Sequence, residues 1–277
     1  MTDFTNLARA LLPATVAAGA VIMGYFRNGV AVETKAGGSP VTAADRDAEI
    51  IIIEALAKAA PGVRVIAEES SEGKTIAATG AEFFLVDPLD GTKEFTSGRP
   101  EFTVNIALVR NGLPCFGIIY APAMSQLYIT LASDNAVRAT LSPDTAPNDV
   151  SLDDLVLQRI RVRDVVDGEA LTVSASRSHG SDGLEKWMSR IAVKDRVNVG
   201  SSLKFCQVAT GESDVYPRFG PTMEWDTAAG HAILLAAGGI VTDVHGAPLR
   251  YGKHAAGYLN PHFIAAAAPL ARFYAAA

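Results

Sequence analysis

Phe83-Phe84-Leu85-Val86-Asp87-Pro88-Leu89-Asp90-Gly91-Thr92 decides how the chain is read, because an apolar run stops abruptly at two carboxylates three positions apart. Four consecutive apolar residues, two of them aromatic, suit a strand buried on both faces. Pro88 has no N–H with which to continue a ladder, so the chain is expected to turn there. Asp90-Gly91 is strong turn chemistry, since glycine tolerates positive φ and residues i and i+3 of a turn approach each other. Asp87 and Asp90 then face one point. Carboxylates so placed repel, so either one takes up a proton or a cation lies between them. An all-oxygen donor set favours a hard ion such as Mg²⁺. Two ordinary turn-forming aspartates explain the same letters, and the neighbouring segments bear on the choice.

Upstream, residues 63–67 read as another strand, and it too ends in acids, Glu68 and Glu69. A second strand terminating in carboxylates is the placement that a metal cluster at one sheet edge requires. Thr42 starts a helix whose Ile50-Ile51-Ile52-Ile53 run, with Ala48, Leu56 and Ala57, forms an apolar face that ends at Pro61-Gly62. Thr42 and Asp45 have capping-box spacing, which is a sufficient structural reason for Asp45. Lys35-Ala36-Gly37-Gly38-Ser39-Pro40 before it reads as a polar loop. The uncharged stretch between Arg9 and Arg27 could pass for a signal peptide. Thr15, Gly19 and Gly24 dilute it and Asp3 spoils a basic start, so a buried, Ala-rich helix is expected and no transmembrane segment.

Downstream, residues 103–109 and 115–120 flank Asn111-Gly112, the strongest short hairpin signal, and 127–130 and 136–140 extend an antiparallel meander. Residues 142–168, with Pro143, Pro147 and many acids, read as a connection. The chain therefore divides into an N-terminal α+β domain, 1–145, and a C-terminal α/β domain, 146–277. In the second half, 171–175 and 196–199 read as strands and 182–191 as a helix. Gly200-Ser201-Ser202 opens another helix, as an anion site or as a plain serine cap, with Lys204 near either. Pro221-Thr222-Met223-Glu224-Trp225-Asp226 leads into an apolar helix where Asp226 suits the dipole. A strand at 240–243, then a strand and helix from Phe263 onward, complete alternating layers of helix and sheet.

Composition narrows the function classes. With 49% hydrophobic and 19% charged residues the chain is an ordinary folded protein, and a net charge of −6 argues against a nucleic-acid polymer as partner. Cys115 and Cys206, the only two cysteines, imply neither a disulfide framework nor a CxxC metal site, and a reducing cytoplasm suits them.

Glu68-Glu69, Asp87-Pro88-Leu89-Asp90-Gly91-Thr92 and Trp225-Asp226-Thr227-Ala228-Ala229-Gly230 together resemble the signatures of the inositol monophosphatase superfamily of lithium-sensitive, Mg²⁺-dependent phosphomonoesterases. Within it, Lys93-Glu94-Phe95 is similar to the CysQ-type 3'(2'),5'-bisphosphate nucleotidases, where inositol monophosphatases more often carry Thr-Asn-Phe. Gly200-Ser201-Ser202-Leu203-Lys204-Phe205-Cys206, Tyr216-Pro217-Arg218-Phe219-Gly220-Pro221-Thr222 and Leu259-Asn260-Pro261 point the same way. The resemblance implies an α+β sandwich layered αβαβα, like that of fructose-1,6-bisphosphatase.

It also implies roles. Glu68, Asp87, Asp90, Asp226 and the carbonyl of Leu89 would hold two or three Mg²⁺ ions. Gly91 and Thr92 would bind phosphate, and Thr92 with Asp45 would orient the attacking water. Glu68 would double as its activator, with Glu69 outside the first ring of ligands. The leaving group would lie against Ser178-His179, Gly200, Ser201, Ser202, Lys204, Arg218 and Asp226, with His179 on adenine and Arg218 on a remote phosphate. The expected reaction is hydrolysis of 3'-phosphoadenosine 5'-phosphate, a small adenosine bisphosphate, to AMP and phosphate, a clean-up step for sulfate assimilation. An inositol or sugar-phosphate monophosphatase is the alternative. A cytoplasmic monomer or homodimer is expected, and similar enzymes are in some cases peripheral at the cytoplasmic face of the inner membrane.

Overall fold

The apolar run ahead of Asp87 forms a strand whose successive residues enter two different cores. Phe84 and Val86 join one cluster and Phe83 and Leu85 another, as the two-residue period of a strand dictates. The structure, a computed structural model, describes residues 2–29, 31–34, 40–71, 74, 79–176, 182–269 and 273.

The first elements are helix α1 (Thr5–Asn28), the short pair β1 (Val32–Thr34) and β2 (Pro40–Thr42), and helix α2 (Ala43–Ala59). Then come β3 (Arg64–Ala67), α3 (Glu68–Ser71), β4 (Glu82–Asp90) and α4 (Thr92–Thr96). A meander follows: β5 (Thr103–Arg110), β6 (Leu113–Ala121), β7 (Gln126–Ala132), β8 (Asn135–Thr140) and β9 (Gln158–Ile160). The second half contributes β10 (Leu171–Ala175), α5 (Asp182–Met188), β11 (Val193–Asn198), α6 (Leu203–Ala209) and β12 (Val215–Arg218). It ends with α7 (Glu224–Ala236), β13 (Ile240–Asp243) and β14 (Phe263–Ala266). The helix expected beyond the last strand falls largely on residues outside those described.

β3 to β9 form a seven-stranded sheet in sequence order, parallel between β3 and β4 and antiparallel elsewhere. A five-stranded sheet has the order β11-β10-β12-β14-β13. α1 and α2 cover one face of the larger sheet, α6 and α7 lie between the sheets, and α5 packs with Phe273 on the far face of the smaller one. The layers run αβαβα. Asn111 and Gly112 adopt φ 51° and 75°, which two-residue hairpin loops demand.

α1 is long and apolar enough to cross a membrane by composition, yet its Leu11, Leu12, Val16 and Ile22 are fully buried among α2 and the sheet. Within the stretch read as a connection, Gln158–Ile160 pairs with β8, so the first sheet extends past residue 145. β11 starts earlier, and α5 ends earlier, than the sequence patterns indicate.

The middle helical layer sits close to the sheet. A Cβ on Gly117 of β6 would lie 2.4 Å from the carbonyl oxygen of Ala229 in α7, backbone that cannot swing aside. Gly117→Ala is expected to destabilise the fold by about 1–3 kcal/mol, read from the urea midpoint at unchanged slope. A midpoint equal to that of the unsubstituted chain contradicts this packing.

Candidate active site

Parallel pairing of β3 and β4 in the register Ala67↔Val86 brings the next residues, Glu68 and Asp87, to the same sheet edge. β4 does not stop at Pro88. Asp87 pairs with Asn105 and Asp90 with Thr103, so β4 carries one more residue than β5 over this span, a β-bulge. The expectation of a turn at Pro88 is corrected accordingly: its missing N–H falls where the ladder is interrupted, and the chain turns at Gly91. Gly91 is left-handed at φ 94°. The Asp87 carboxylate accepts the N–H of Leu89 at 3.0 Å.

From the layer between the sheets, α7 presents Asp226 to the same place. Ligand oxygens of Glu68, Asp87 and Asp226 all lie within 4.8 Å of one another. Asp90 lies outside this triad but lines the same cavity, of ≈ 240 Å³, together with Leu89, Gly91, Thr92, Gly200 and Arg218. Thr92 Oγ1 is 3.3 Å from Asp45 Oδ1 and 3.2 Å from the Leu89 carbonyl, either of which can take its proton. Asp45 closes the expected capping box, accepting the Thr42 N–H at 2.8 Å, so it serves the helix and faces Thr92 at once.

Burial raises the Asp87 carboxyl well above its ordinary range, and the charges of Glu68, Asp90, Asp226 and Asp45 add to the effect. Asp226 is driven the same way by desolvation beneath the cavity mouth and then by Asp90 and Glu68. Asp90 is raised by burial too, but Lys204 and the Ser202 N–H oppose it. Carboxylates that resist ionisation together, with no nitrogen or sulfur donor in the triad, make a suitable seat for a hard divalent cation.

Asp90 is anchored across the seam between the halves. Its Oδ2 accepts the Ser202 N–H at 2.6 Å and faces Asn105 Nδ2 at 3.4 Å. The Asn105 amide oxygen accepts from Thr103 and Ser202 hydroxyls at 2.9 and 2.8 Å, which turns its NH₂ toward Asp90. Ser201 is held at φ 51°, a left-handed position that non-glycine residues seldom occupy. While Asp90 accepts the Ser202 N–H, that group is not available to a ligand.

Lys204 is 4% exposed and donates to the Val199 and Ser201 carbonyls, at 3.3 Å in the first case. Burial pushes it down to about 8, with Asp90 opposing the shift. Arg218 is 9% exposed, donates to the Pro221 carbonyl at 3.0 Å and leaves Nε without a partner among the described residues. A Cβ on Gly91 or on Gly200 would come within 2.9 or 2.8 Å of the Glu101 carbonyl oxygen, so both loops depend on glycine to meet there. Ser178 and His179 lie outside the described residues.

Sequence reasoning passed over Asn105 and Glu224. Thr103 and Asn105 are polar at alternate positions of a strand otherwise apolar up to Arg110, a signal that could have been read. Glu224, fully buried, accepts the N–H groups of Gly252 and Lys253 at 2.7 and 2.9 Å and pairs with Lys253 Nζ. No local pattern indicates that, because its partners are a loop away. Asn260 completes the support, donating to the Met223 carbonyl at 2.8 Å and to Thr227 at 3.0 Å around the first turn of α7.

The profile of the Inositol monophosphatase family matches residues 3–274. The chain belongs to the inositol monophosphatase family. That family is metal-dependent, as the acidic triad suits. Among its members, the 3'(2'),5'-bisphosphate nucleotidase CysQ of Escherichia coli K12 is 42% identical over 232 residues, 84% of this chain and 87% of that protein. The crystal structure of CysQ from Bacteroides thetaiotaomicron superposes with a TM-score of 0.79 at 36% identity, covering 96% of this chain and 98% of the other. An inositol monophosphatase from Anabaena gives 0.70 at 26% identity, over 95% and 91% of the two chains.

The raised carboxyls set a pH dependence for the metal-free protein. A group whose folded pKa lies above its unfolded value stabilises most below the unfolded pKa, and that contribution is lost as pH rises toward the folded one. Asp87→Asn is therefore expected to raise the melting temperature in EDTA by a few degrees at pH 8 and by less at pH 5. Equal shifts at both pH values, followed by calorimetry, contradict the assignment of the repulsion.

Proposed function

We propose that the chain is a Mg²⁺-dependent phosphomonoesterase that hydrolyses 3'-phosphoadenosine 5'-phosphate to AMP and phosphate. The observation that carries the reading is the charge polarity of the cavity lining, which combines the acids Glu68, Asp87 and Asp226 with the buried cations Lys204 and Arg218. A substrate with one phosphate to be cleaved and another to be held suits that polarity, as does the likeness to proteins named as bisphosphate nucleotidases.

Glu68, Asp87, Asp90, Asp226 and the Leu89 carbonyl are the residues to hold two or three Mg²⁺ ions. Bound there, Mg²⁺ supplies positive charge against the phosphate oxygens and makes an attacking water more acidic. The N–H groups of Gly91 and Thr92 orient the scissile phosphate. The water donates its hydrogen bond to Thr92 Oγ1, and Thr92 passes its own to Asp45, 3.3 Å away. Glu68 offers a second acceptor beside the same water. As the water oxygen joins phosphorus, the ester P–O bond breaks, and the leaving 3'-oxygen, released toward Asp226, takes up a proton from solvent to become the 3'-hydroxyl of AMP.

Gly200 and Ser201 wall the leaving-group side. Ser202 and Lys204 act there through Asp90, which they hold and partly neutralise. The planar fork of Arg218 takes the 5'-phosphate, and His179 is retained as an adenine contact. Residues 1–145 thus contribute most metal ligands, and 146–277 contribute Asp226 and the leaving-group wall. We place the enzyme in the cytoplasm, as a monomer or homodimer.

With Mg²⁺, phosphate release from 3'-phosphoadenosine 5'-phosphate is expected to exceed that from inositol 1-phosphate or fructose 1,6-bisphosphate. A preference of about tenfold or more for the inositol ester, about 1.4 kcal/mol or more of transition-state discrimination, overturns the substrate and leaves the chemistry. Arg218→Lys is expected to lower kcat/KM for the bisphosphate about tenfold or more relative to adenosine 3'-phosphate. Equal losses on both esters remove Arg218 from the 5'-phosphate.

A further inference from the structure

α2 carries a second buried carboxylate on the face that bears Asp45. Glu49 follows it by four positions, one helical turn on, and is 4% exposed. Its Oε2 accepts the N–H of Glu69 and its Oε1 the N–H of Ser70, both at 2.8 Å, and the Ser70 hydroxyl donates to Oε1 as well. Three donors thus converge on one carboxylate from the residues directly after Glu68. α3 has four residues, so its first N–H groups find no acceptor within the helix. Glu49 does not line the cavity.

Burying a carboxylate is costly unless it is fully hydrogen-bonded, and a core helix has no need of one at this position. What Glu49 fixes is the peptide plane through which Glu68 reaches the triad. One turn earlier, Asp45 faces Thr92 at the start of α4. The two carboxylates of α2 therefore hold two different segments of the site, the first turn of α3 and the start of α4.

We propose that Glu49 is a positioning residue for Glu68, and that α2 sets the separation between the cation-holding Glu68 and the water-orienting Thr92. This rests on the reading of Glu68 as a metal ligand.

Glu49→Gln keeps the size but turns an NH₂ against one of the donors. Mn²⁺ binding to the substrate-free protein, followed by calorimetric titration, is expected to weaken about tenfold or more, the range usual for partners that orient a ligand. Melting in EDTA should remain a single cooperative transition, which shows the variant to be folded, and the exposed control Glu54→Gln should bind Mn²⁺ normally. Unaltered Mn²⁺ affinity in folded Glu49→Gln overturns the proposal. If that variant does not fold, Glu49→Asp decides by the same titration: it keeps the charge but falls short of the turn, and unaltered affinity again overturns the role. An unsubstituted chain that binds no Mn²⁺ overturns the metal reading itself, and the role of Glu49 with it.

Discussion

Like charges gathered around one partly buried cavity are the constraint on which the rest of the molecule depends. Two ionised carboxylates within 4.8 Å repel by roughly 3.5 kcal/mol at an effective dielectric of about 20. One such pair is a sizeable part of the net stability of a domain. The fold bears it through donors that hold each acid from behind. The Leu89 N–H holds Asp87, the Ser202 N–H and Asn105 hold Asp90, and the Met223 N–H holds Asp226. Glu49 does the same one step removed, through the peptides that follow Glu68. All four acids, Glu68, Asp87, Asp90 and Asp226, line the cavity.

The layers supply these donors from separate directions. Parallel pairing of β3 and β4 delivers two acids to one edge, and the helix between the sheets brings a third from the other half of the chain. This explains why α7 lies so near β6 that only glycine fits at position 117. A looser layer would draw Asp226 away from its partners.

Much of this was legible in the sequence, because the decisive signals are local. The apolar run 83–86, Asn111-Gly112 and the Thr42–Asp45 capping box each act within a few residues, and each appears in the expected form. Pro88 misled at the level of geometry. The absence of an N–H says that a ladder is interrupted, not whether the strand bends back or bulges and continues, and the pairing partner on β5 decides between them. β9 was illegible for a related reason: three residues carry too short an alternation to stand out from a polar connection. Glu224, whose work is done with Lys253 a loop away, leaves no periodic trace.

Asp90 and Ser202 belong to different sheets' halves, and the 2.6 Å bond between them crosses the seam. The cavity therefore has no complete existence within either half alone. Its electrostatics report on docking: parting the two loops at Glu101 would strip Asp90 of its N–H donor while both sheets kept every ladder bond. The cavity in this architecture lies at an interface inside one chain, where α3, the end of β4 and α4 meet α6, β12 and α7.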